Sequence, residues 1–188
     1  MQPAPVGKYR YEVFGPFPFS TKGNMRHRKA LKQFWTDRLN DGSPEGLCDA
    51  LGVYVWTFRQ GKRRIPWNVG ITSRPGFKGR FALKEASFLR FQRDNPNAEI
   101  EVYLLARRTR GGEFSRTNQT KLNDWLESIL IGSALSVNPA LANSAKTKYL
   151  RTAVVDGYLN DQAVDRNAAA RSFNAIFKHS ATESKSRG

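Results

Sequence analysis

Cysteine is nearly absent from this chain: a single residue, Cys48, stands among 188. An intrachain disulfide is therefore excluded, and a reducing setting is the natural expectation. Histidine is almost as scarce. His27 and His179 each lie far from any Cys or acidic pair, whereas zinc fingers and histidine-based metal nucleases need denser clusters. A Ser-His-Asp or Cys-His mechanism would have to use one of these two, and both stand in polar, Lys- and Arg-rich segments near the ends. Long apolar runs are missing as well. The best of them, residues 129–135, is interrupted by Gly132 and Ser133 and falls short of the roughly 18 residues that span a bilayer. No membrane crossing is expected. Residues 1–15 lack the basic-then-apolar order of a secretory signal, which makes the cytoplasm the expected location. Acidic residues are the last shortage: 16 Asp and Glu face 31 Lys and Arg, a formal net charge of +15. Such a surplus repels itself and calls for a polyanionic partner. Nucleic acid leads that list, ahead of a solvated basic surface or a basic amphipathic helix lying on a membrane.

What is present suffices for a buried core, with 39% hydrophobic and 12% aromatic residues. Residues 9–14 read as a short strand, ended by a turn through Gly15, Pro16 and Pro18 that cannot continue a regular ladder. Over 25–39 the apolar positions Leu31, Phe34, Trp35 and Leu39 recur at helical spacing among Arg26, Arg28, Lys29, Lys32 and Arg38, which predicts a basic amphipathic helix. Asp41, Gly42, Ser43, Pro44 and Gly46 then mark a loop. A boundary is expected there, between an N-terminal extension (1–45) and a core domain (46–145). Residues 51–58 and 65–71 are rich in β-branched and aromatic types and flank Gln60, Gly61 and Lys62, the pattern of a hairpin. Residues 78–93 read as one helix, with Phe81, Phe88 and Leu89 on one side and Arg80, Lys84 and Ser87 on another. A third strand is expected over 100–106 and a basic loop over 107–116. A second helix, capped by Asn118 or Thr120, then runs to about residue 135. The C-terminal part, 146–188, predicts an accessory helix over 161–178, with Ala169, Phe173, Ile176 and Phe177 at helical spacing, and a disordered tail over 180–188.

Two tripeptides stand out on the hairpin: Gly52, Val53 and Tyr54 on the first strand, and Asn68, Val69 and Gly70 on the second. Arg80 follows near the start of the next helix, Glu127 lies within the later one, and Asn138 precedes Pro139. In this order, over about half the chain, these landmarks resemble the GIY-YIG nuclease family. The chain departs from the family pattern at Asn68, which stands where a second tyrosine is usual, with Trp67 displaced by one position. The segment between the tripeptides is also slightly longer than is usual. The resemblance implies an α/β domain of the α+β kind, with a small, mainly antiparallel three-stranded sheet flanked by helices and extensions at both ends. It further implies an endonuclease dependent on magnesium or manganese and acting on nucleic acid, with DNA ahead of RNA as the candidate substrate.

Hydrolysing a phosphodiester with a metal needs a carboxylate for the hard cation, a cation on the phosphate oxygens, and a group that activates water. Glu127 is the expected metal ligand, because Asn123, Leu130, Ile131 and Ala134 share its helical neighbourhood and take it off a plainly charged face. Arg80 offers forked donors to the scissile phosphate, with Lys84 one turn later. The resemblance makes Tyr54 the general base and leaves Asn68 to position water or phosphate, since a carboxamide cannot act as a base. Lys62, Arg63 and Arg64 between the tripeptides would add a basic fringe for substrate, joined by Thr72 and Arg74 just past the second tripeptide. Gly52, Gly70 and Asn138 carry the structural part of the motif. Two rivals stay open: a nucleic-acid-binding module of the same fold that lost catalysis, and a basic module that contacts an acidic protein. A single site cuts one strand at a time, so a homodimer is one route to double-strand cleavage.

Overall fold

The computed structural model describes residues 10–19, 27–40, 43–74, 76–83, 85–95, 98–117, 120–143, 146–148, 168–169 and 171–172. The chain divides into two compact units, Met1–Asn143 and Ser144–Gly188. In the second unit, residues 168–169 and 171–172 are helical; the rest of the accessory helix expected over 161–178, and the tail, lie outside the described residues.

The first unit is α+β, and its sheet, among the described residues, has four antiparallel strands rather than three. They are β1 (Arg10–Phe19), β2 (Gly52–Gln60), β3 (Arg63–Ile71) and β4 (Glu99–Arg108), in the order β1-β4-β2-β3. β2 and β3 form the expected hairpin, turning at Gly61 and Lys62. β1 was expected in an extension; instead it pairs with β4 from Arg10↔Arg108 to Phe19↔Ile100. The prolines do not end it, because a register shift between Phe14 and Phe17 absorbs Gly15 and Pro16. β1 is an edge strand, where a missing N–H costs no ladder bond.

Among the described residues, the unit has four α-helices, α1 (His27–Asn40), α2 (Phe77–Ala82), α3 (Glu85–Asp94) and α4 (Thr120–Val137), and a short 3-10 turn at Leu47–Asp49. Among the described residues, no helix is long and apolar enough to cross a membrane. Register puts Tyr54, Trp56 and Phe58 on one face of β2, with Leu104, Val102 and Ile100 beside them on β4. That face carries an aromatic core. Phe34 and Trp35 come from α1, Phe77 and Phe81 from α2, Phe88 and Phe91 from α3, and all six are buried. Phe88 meets the Trp56 ring edge-on at 4.4 Å and Phe91 lies 4.3 Å from Trp67, centroid to centroid. Each such side chain is worth about 1.5–3 kcal/mol of burial, so α1 belongs to the core and not to an extension. The helix expected over 78–93 is two, broken at Leu83 between α2 and α3. Lys84 falls at that break, outside the described residues.

α4 lies on the opposite face. Its residue Asn123 accepts a hydrogen bond at 2.5 Å from Tyr11, whose cross-strand partner is Arg107, and its Ile131 and Ala134 are buried. The chain leaving α4 then runs along β3 and closes that edge of the sheet. Asn138 donates its amide to the Pro66 carbonyl at 2.7 Å, and the Ala142 N–H reaches the Trp67 carbonyl at 2.8 Å. The Asn143 side chain pairs with the N–H and carbonyl of Val69 at 2.9 and 2.7 Å. Row pairing of this kind shields an edge that would otherwise template another strand.

Candidate active site

Tyr54 and Gly70 face each other across the β2–β3 ladder. The absence of a side chain at Gly70 is what lets the tyrosine ring lie over β3. A Cβ at that position would stand 2.3 Å from Tyr54 Oη and 2.5 Å from Cζ. The last residues of the two tripeptides are thus coupled by sterics: Gly70 makes the room that Tyr54 fills.

Phe81 brings α2 to this point. Its ring meets Tyr54 edge-on at 5.1 Å and 83°, and Gly76, at the head of α2, packs against the backbone of Asp49. Pinned at both places, α2 carries Arg80 to the tyrosine hydroxyl. Glu127 approaches from α4, where Asn123 and Ile131, one turn before and one turn after it, are both buried; Glu127 itself is half-buried. Tyr54 on β2 thus has Arg80 of α2 beside it and feels the charge of Glu127 on α4.

The electrostatics reflect that arrangement. Burial pushes the Tyr54 phenol above its ordinary value of 10.0, the Arg80 guanidinium within reach of the hydroxyl opposes that rise, and the Glu127 carboxylate adds to it. Net, the phenol stays protonated at neutral pH. Arg80 nevertheless falls short of hydrogen-bonding geometry: among the described residues, Tyr54 Oη and Arg80 Nε are both buried without a hydrogen-bond partner. Unsatisfied buried donors cost about 1–3 kcal/mol each, so the pair suits a polar ligand that would satisfy both.

A raised phenol pKa has a consequence for stability. The favourable contribution is fully present below about 10, the unfolded value, and is lost as pH rises from there through the higher folded value, because only the unfolded chain releases the proton easily. We expect the stability of the native protein to fall above about pH 10, and Tyr54→Phe to fall less steeply. Urea unfolding of both proteins as a function of pH measures this; identical slopes would contradict it.

Other expected site residues are placed elsewhere. Lys62 and Arg63 stand at the hairpin turn, beyond or beside Gln60, roughly 20 Å along β2 from Tyr54 at about 3.3 Å per residue. Arg64 is beside them and is held by Glu101 at 2.6 Å. Thr72 is buried and tied to Gly52, whose N–H donates to the Thr72 hydroxyl at 2.8 Å. This bond closes the open end of the hairpin, leaving Thr72 a structural part. Arg74 is exposed in the turn that leads into α2. Asn68 donates to the Asn143 side chain at 3.4 Å, so the two carboxamides share the β3 edge. Asn143 and Gly76 are contributors that sequence patterns did not single out. Comparison with protein-family models, with curated proteins and with solved structures finds no match for this chain.

Proposed function

We infer that the protein is a metal-dependent endonuclease of the GIY-YIG kind, hydrolysing phosphodiester bonds of nucleic acid, with DNA the leading candidate substrate. The observation that carries this is the buried Tyr54 hydroxyl on β2, which feels both the Arg80 guanidinium of α2 and the Glu127 carboxylate of α4 and which, like Arg80 Nε, lacks a hydrogen-bond partner among the described residues. The charge of +15 supplies the affinity for a polyanion.

Magnesium is commonly held by one or two carboxylates together with water and substrate phosphate oxygens. Glu127 fits that manner of binding. An all-protein cage does not fit, because among the described residues no group of three or more His, Cys, Asp or Glu stands together. When bound there, magnesium or manganese supplies the Lewis acidity that makes a water proton labile at neutral pH. The chain's own residues do the rest. Arg80 braces a phosphate oxygen with its forked donors as charge develops there. Tyr54 would serve as the general base in its phenolate form, which Arg80 beside it favours, its oxygen taking the proton that the attacking water gives up. Supercoiled plasmid is expected to be nicked in magnesium or manganese and left intact in EDTA. Binding without nicking in either metal would favour the second reading, a non-catalytic binding module, which Asn68 motivates by spending its carboxamide on Asn143.

A further inference from the structure

The segment expected to be a basic loop after β4 is a braced hairpin. The Ser115 N–H donates to the Arg107 carbonyl and the Thr109 N–H to the Glu113 carbonyl, both at 2.8 Å. Arg108 and Phe114 form a bridge between its two arms. Its base is bolted to the head of β2: Leu51 N–H reaches the Ser115 carbonyl at 3.1 Å, and Arg107 N–H reaches the Leu51 carbonyl at 3.0 Å. Leu51 is three residues from Tyr54, roughly 10 Å along the strand. The hairpin therefore springs from the same end of the sheet as the candidate site.

Two of its arginines hold it together. The Arg108 guanidinium lies 3.7 Å above the Phe114 ring centroid, bonds Glu12 at 2.7 Å and donates to the Gly112 carbonyl at 2.9 Å. Arg107 is buried and donates to the Ser115 hydroxyl and the Thr117 carbonyl. Arg110 and Arg116 do neither. Both are exposed, and Glu113 is the sole acid among residues 107–116. The tip between them is open: a Cβ at Gly112 would meet nothing within 4 Å. Exposed guanidiniums add little to stability, and in a chain of net charge +15 they add to its self-repulsion. A rigid platform carrying them lowers the entropy cost of gripping a ligand.

We propose that this hairpin is a nucleic-acid contact, with Arg110 and Arg116 holding backbone phosphates of a duplex that flank the one placed at Arg80. It rests on the nuclease reading for where the duplex lies. Arginine's planar fork matches phosphate oxygens, and each phosphate neutralised contributes about 0.9 to the slope of log affinity against log salt. The test is fluorescence anisotropy of a duplex of about 12 base pairs, in EDTA, between about 50 and 200 mM salt. Three proteins are compared: wild type, Arg110→Ala with Arg116→Ala, and Lys29→Ala with Lys32→Ala, a control that removes two exposed charges from α1. The hairpin variant should lose about 1.8 from the slope, two phosphates' worth, while the control keeps the wild-type slope. An unchanged slope in the hairpin variant, or an equal loss in the control, overturns the inference while leaving nuclease chemistry standing. A wild type that binds no duplex sinks the nuclease reading itself. Binding of the expected salt dependence without cutting in added metal would sink catalysis and leave the hairpin contact standing.

Discussion

Glu127→Ala is expected to slow single-turnover cleavage by a factor on the order of 10^3, equivalent to about 4 kcal/mol of lost transition-state stabilisation. Its native fold and its affinity for duplex should survive. The side chain is half-buried on α4, and its neighbours Asn123 and Ile131 keep the helix on the sheet without it. What disappears is a carboxylate acting on the Tyr54 hydroxyl. The same variant should lower the Tyr54 pKa, because the carboxylate raises it, and spectrophotometric titration would detect that shift. A variant that folds, binds duplex and cuts at the wild-type rate would place the metal elsewhere.

Gly52→Ala should be the most damaging methyl group that can be added to a described glycine. A Cβ on Gly52 would stand 1.9 Å from the Leu105 carbonyl oxygen and 3.2 Å from the Ala106 Cα. These atoms are backbone of β4, paired with β2 on the side opposite β3, and no rotamer change relieves the clash. The strands must part at the point where Thr72 bonds Gly52 and Leu51 bonds the β4 hairpin. A loss of about 3 kcal/mol or more is expected, the upper end of what overpacking costs. Gly132, in α4, is the matched control: a Cβ there meets nothing within 4 Å, and Gly132→Ala should stabilise by up to about 1 kcal/mol through helix propensity. Urea midpoints of the two variants against wild type measure both effects. Equal and small effects would mean that β2 and β4 do not approach at Gly52.

Much of this was legible in the residues. Alternation on β2, with Tyr54, Trp56 and Phe58 on one side, marks a strand packed against aromatic helices, and the hairpin around Gly61 follows from turn chemistry. The helical neighbourhood of Glu127, read from Asn123 and Ile131, is the buried face of α4. Four things were hidden, each for a physical reason. The break between α2 and α3 leaves no trace in apolar spacing, because Phe77, Phe81, Phe88 and Phe91 fall at intervals that also suit one continuous helix. β1 was obscured by Gly15 and Pro16, which a bulge on an edge strand accommodates. Charge and a place between the tripeptides point Lys62, Arg63 and Arg64 toward substrate, whereas strand rise carries them to the far end of the sheet. Asn143 gave no signal, since a carboxamide that pairs with a strand edge is indistinguishable in sequence from one in a loop.

The central claim is that Arg80 and Glu127 serve one reacting phosphate, and single-turnover cleavage by Arg80→Ala, Glu127→Ala and the double variant tests it most directly. Groups that act as a unit are grossly non-additive. Each single variant is expected to lose on the order of 10^2–10^3, and the double variant little more than the worse of the two. A double loss equal to the product of the single losses would contradict the account, because it would mean that the two side chains work independently.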